Sequence, residues 1–63
     1  MSKAKRIAIL EEINDRLSFQ LEVAAWLRDV ACGNIKIPKE NFDVAVADHA
    51  AGLKQAHRLA KSL

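Results

Sequence analysis

Apolar residues recur along the first half of the chain at steps of three and four. Leu10, Ile13, Leu17, Leu21, Ala24, Leu27 and Ala31 form this series. Such spacing places side chains on one face of an α-helix. No Gly or Pro interrupts the chain before Gly33, and the interior is rich in good helix formers. The pattern predicts a first helix over about residues 3–31. Ser2 is placed to cap its start through its hydroxyl, and Gly33 to end it in a left-handed turn.

The second half repeats the pattern. Phe42, Val46, His49, Leu53, Ala56, Ala60 and Leu63 alternate steps of four and three, the repeat of a coiled-coil seam. Ala45, Gly52 and Leu59 flank it at intervals of seven. The second helix is expected over about residues 38–62. Pro38 suits its first turn, and Glu40 and Asp43 lie near the positive end of its dipole. The small residues Ala45, Gly52, Ala56 and Ala60 permit close approach of another helix. Between the helices, residues 32–37 are a linker short enough to force an antiparallel turn. The expectation is an all-α, two-helix antiparallel hairpin forming one domain over residues 1–63.

A second stripe on the first helix complicates this picture. Phe19, Val23, Trp26 and Val30 also follow steps of four, three and four, but on a different face from Leu17, Leu21 and Ala24. The C-terminal half of the helix is therefore apolar over more than half its circumference. One partner helix cannot cover that arc. With the second helix assigned to the first stripe, Phe19, Val23, Trp26 and Val30 are left to an oligomer core or to a docking face for a different protein. Trp26, the only tryptophan, is a candidate hot spot in either case.

Size strengthens the case for self-association. A chain of 63 residues buries only roughly 60% of its unfolded surface when it folds alone. Proteins this small usually add disulfides, a metal or a partner subunit. Cys32 is the only cysteine, which precludes an intrachain disulfide and fits a reducing compartment. A homo-oligomer remains, with a dimer favoured because two-fold closure is commonest. A chain of this length with two helices and one short turn resembles in architecture the antiparallel four-helix dimers typified by the plasmid RNA-binding Rop protein. The resemblance implies a four-helix bundle completed by homo-oligomerisation and carries over no functional residue.

Candidate chemistry changes the picture little. His49 falls on the apolar seam, where a polar residue can fix register. His57 is eight residues further on, not the four that place two ligands on adjacent turns. Asp48 and His49 are sequence neighbours and point in different directions on a helix. Ser18 and Ser62 have no histidine at helical spacing. Cys32 lies at a helix C-terminus, where the dipole disfavours a thiolate. No Gly-rich phosphate loop is present. The expectation is a non-enzymatic protein without cofactor or metal.

Charge adds one candidate patch. The formal net charge is only +2, but no acidic residue lies in positions 1–10 or 49–63. An antiparallel hairpin brings Lys3, Lys5, Arg6, Lys54, Arg58 and Lys61 to its open end. Six cations suit nucleic-acid phosphates or an acidic protein surface. Half of them equally complement the negative end of the second helix's dipole, and no aromatic residue accompanies them for base stacking. The N-terminus is basic, but Glu11, Glu12 and Asp15 break the pattern of a signal peptide. No apolar run approaches the ~20 residues of a membrane span. A cytoplasmic, small bacterial or phage-type regulator or inhibitor is expected, acting by binding and occluding another protein. Nucleic acid is the alternative partner.

Overall fold

The computed structural model describes all 63 residues. It is an all-α hairpin of two helices packed against each other, α1 over Lys3–Ala31 and α2 over Lys39–Lys61. Ser2 caps α1, its Oγ accepting a hydrogen bond from the Lys5 amide at 3.2 Å. The other end of α1 closes in a Schellman motif. Gly33 adopts φ 84°, a left-handed conformation that costs glycine little. The Gly33 amide bonds the Val30 carbonyl, and the Asn34 amide reaches back to that of Asp29. Pro38 stands just outside α2 as its N-cap, not inside its first turn. Its carbonyl accepts from the Asn41 and Phe42 amides.

The helices meet along a line that neither apolar series predicts. On α1 the positions that form this line are Ile9, Ile13, Arg16, Gln20, Val23, Leu27 and Val30, each half-buried or better, with Ala24 and Asp29 half-buried beside it. On α2 they are Phe42, Ala45, His49, Gly52, Ala56 and Leu59. Both sets alternate threes and fours. The α1 line runs between the two apolar stripes and takes members from each. Val23 and Val30 therefore pack against α2, while Leu17 and Leu21 do not. On α2 the contact is shifted by one position. The expected flank Ala45, Gly52 and Leu59 faces α1, and Val46 and Leu53 move outward. The physical reason is size: Ala45, Gly52 and Ala56 permit a close approach that Val46 and Leu53 would hold off.

The packing is thin. The hairpin measures 47 × 16 × 11 Å; its smallest dimension is the width of a single helix. Such a slab has almost no interior. Only Ala56, 3% exposed, and Gln20, 9% exposed, are buried. Eleven large hydrophobic side chains stand exposed.

Candidate interaction surfaces

Polar residues set the centre of the seam. The Gln20 side chain crosses directly over Gly52, where a Cβ would overlap its amide group. Gln20 Oε1 then lies 2.7 Å from His49 Nδ1. An amide oxygen only accepts, so the imidazole donates from Nδ1. One turn away, Arg16 donates to Gln55 Oε1 at 3.0 Å and pairs with Glu12 at 2.9 Å. Gln20, His49, Arg16 and Gln55 thus fix the register of the two helices. No buried side-chain nitrogen or oxygen is left without a partner. His49 is held in a polar pair, and no group of three or more His, Cys, Asp or Glu side chains is arranged to hold a metal ion.

The seam divides the hairpin into two sides. One side is apolar. Leu10, Leu17 and Ala24 each follow a seam residue of α1, and Val46, Leu53 and Ala60 each follow one of α2. In an antiparallel pair these positions fall on the same side. A groove of about 350 Å³ confirms it, lined by Leu17, Leu21, Ala24 and Leu53 with Gln20 and His49 at its floor. Leu21 is 71% exposed there, and Leu10, Leu17, Val46 and Leu53 are exposed as well.

The opposite side mixes aromatic and charged groups. Phe19, Val23, Trp26, Ala45 and Asp48 line one shallow groove of about 320 Å³. Asp15, Arg16, Phe19 and Gln55 line another of about 370 Å³. Of the four stripe residues expected to share one face, Phe19 is 60% exposed and Trp26 37%, whereas Val23 and Val30 are half-buried on the seam. The stripe is split, and only Phe19 and Trp26 remain as large apolar groups on this side of α1.

The six candidate cations share the open half of the molecule without forming one compact site. Arg16 is level with Gln55. Six residues along each chain, Leu10 is therefore level with Lys61, and Lys3, Lys5 and Arg6 project past the end of α2. Lys54 lies about 20 Å back along the axis from Lys3. All six are exposed, and none makes an ion pair; the two salt bridges are Arg16–Glu12 and Lys39–Asp43. Cys32 is an exposed free thiol at the loop end. No helix is long and apolar enough to cross a membrane.

Fold and surfaces together define a small all-α hairpin with an unpartnered apolar side. Compared with protein-family models, curated proteins and solved structures, the chain matches none.

Sequence reading missed Arg16 and Gln20 as contact residues. The available signal was their position: both lie on the helical line that continues Ile9, Ile13, Val23 and Leu27.

Proposed function

We propose that this chain is a non-enzymatic, homo-oligomeric interaction module, a small regulator or inhibitor that binds another protein and occludes its functional site. The observation that carries this reading is the imbalance of burial. Two residues are buried while eleven large hydrophobics are exposed. Burying such a side chain contributes roughly 1.5–3 kcal/mol, and domains are stable by only ~5–15 kcal/mol. A hairpin that leaves this surface wet forgoes most of its available stabilisation and invites aggregation. Copies of the chain cover part of the surface, as in a four-helix bundle. Phe19 and Trp26 supply anchors for the other protein, whereas Arg28, two positions beyond Trp26 and just after the seam residue Leu27, falls on the opposite side. Capture from the host with tagged protein tests the second half of this proposal. A specific protein partner retained after nuclease treatment, and lost with Trp26→Ala, is the expected result. Capture of nothing, or of the same proteins by Trp26→Ala, rejects it.

A second reading has its own observation. Lys3, Lys5, Arg6, Lys54, Arg58 and Lys61 are exposed and free of ion pairs, which favours an anionic partner such as nucleic acid. Each phosphate neutralised releases counterions, so affinity would fall steeply with salt. Reversing Lys5, Arg6 and Arg58 together should abolish such binding with helicity intact. Absence of a mobility shift with duplex DNA, duplex RNA and single strands at low salt removes it.

A further inference from the structure

The geometry points to a second copy of this chain as the occupant of the Leu10–Leu17–Leu21–Val46–Leu53 side, packed antiparallel so that each loop end lies over the partner's open end. This assignment rests on the self-association proposed above and specifies which side closes and in which direction.

Area supports the occupant. A compact protein of 7.0 kDa exposes about 4,000 Å². This chain exposes 4923 Å². The surplus of about 900 Å² is close to the ~800 Å² that each partner contributes to a standard interface. The apolar side is the surface able to supply it. Its groove draws exposed leucines from both helices, with Asn14, His57, Arg28 and Asp43 further out on the same side, whereas the grooves of the Phe19–Trp26 side interpose Asp15, Asp48, Arg16 and Gln55 themselves. A two-fold pairing uses the same patch twice. Leu17 and Leu53 stand at nearly the same level by the Arg16–Gln55 register, near the middle of the patch, where the two-fold axis would pass.

Charge decides the direction. The open half, residues 1–19 and 53–63, holds seven cations against three anions. The loop half, residues 20–52, holds three cations against five anions. Stacking two hairpins with loops at the same end sets positive on positive and negative on negative. Stacking them with loops at opposite ends sets each basic half on an acidic one, and like-charge juxtaposition is what excludes a wrong arrangement.

The native Cys32 provides the test, since it is the only cysteine and is exposed in the loop. Spin labels on Cys32 in the wild-type protein report the distance between the two loops by double electron–electron resonance. At 1.5 Å per residue from the level of Leu17, the antiparallel dimer places them about 45 Å apart. A loop-to-loop dimer places them within about 20 Å, roughly two helix spacings. Light scattering on the same sample gives the mass. The antiparallel assignment requires a dimer with the long distance. A dimer with the short distance overturns the direction alone, and a monomer overturns both this inference and the self-association beneath it. The side is tested by Leu17→Glu and Phe19→Glu. Leu17→Glu should raise the dimer dissociation constant at least tenfold, and Phe19→Glu should leave it within about threefold. The reverse ranking assigns the interface to the aromatic side and sinks the proposal even where the long distance is found.

Discussion

At the level of Leu17 and Leu53 the hairpin turns polar groups inward and leucines outward. Arg16, Gln20, His49 and Gln55 lie at or beside the line where the helices meet, and Leu17, Leu21 and Leu53 line an open groove beside it. In an ordinary monomeric hairpin the assignment is the opposite. The difference separates two jobs. Hydrogen bonds across the seam fix register but contribute only ~0.5–1.5 kcal/mol each. The leucines hold most of the burial energy, and within one chain it is largely unrealised. The seam specifies how α1 and α2 align; the outward side determines whether the aligned pair is stable.

The largest expected effect follows from that division. Leu17→Ala with Leu53→Ala removes two side chains of the apolar side. At roughly 2–5 kcal/mol each in a packed core, the pair should leave the protein largely unfolded at micromolar concentration, as read by circular dichroism. Retention of full helicity would mean that this side is not packed against anything.

Trp26→Ala should matter less to the fold. With Trp26 on the opposite side and 37% exposed, the dimer should survive with a loss of ~1–2 kcal/mol, below the full cost of a core aromatic. Loss of the dimer together with helicity, measured by light scattering and circular dichroism, would place Trp26 in the subunit core.

A smaller effect tests the seam itself. Gly52→Ala gains about 1 kcal/mol of helix propensity but displaces the Gln20 amide from His49, which costs a similar amount. The single substitution should be near neutral. In a Gln20→Ala background the same substitution should stabilise by ~1 kcal/mol in urea unfolding. Equal effects in both backgrounds would show that Gln20 and Gly52 are uncoupled.

Sequence periodicity made the helices, their ends and the turn legible, because Ser2, Gly33 and Pro38 act locally. The partner of each face was not legible. Two overlapping apolar stripes on α1 offered two docking lines, and the series through Leu17 and Leu21 was the richer. The chosen line lies between them because side-chain size on α2 decided the approach. Ala45, Gly52 and Ala56 admit a close neighbour, and Gln20 fills the space over Gly52. Such complementarity belongs to the pair of helices and is invisible in either periodicity alone. Topology brings the six cations to the open half, but their spread along the axis, which keeps them from forming one compact site, follows from a register that only the Arg16–Gln55 and Gln20–His49 contacts fix.

Coupling between folding and association is tested most directly by thermal unfolding across a hundredfold range of protein concentration. Ligand-like binding of one copy to another stabilises by mass action, so Tm should rise with concentration and helicity should fall on dilution. A cooperative transition whose Tm is the same at every concentration would show that a single hairpin is stable alone, with its leucines in water, and would contradict self-association as the source of the fold's stability.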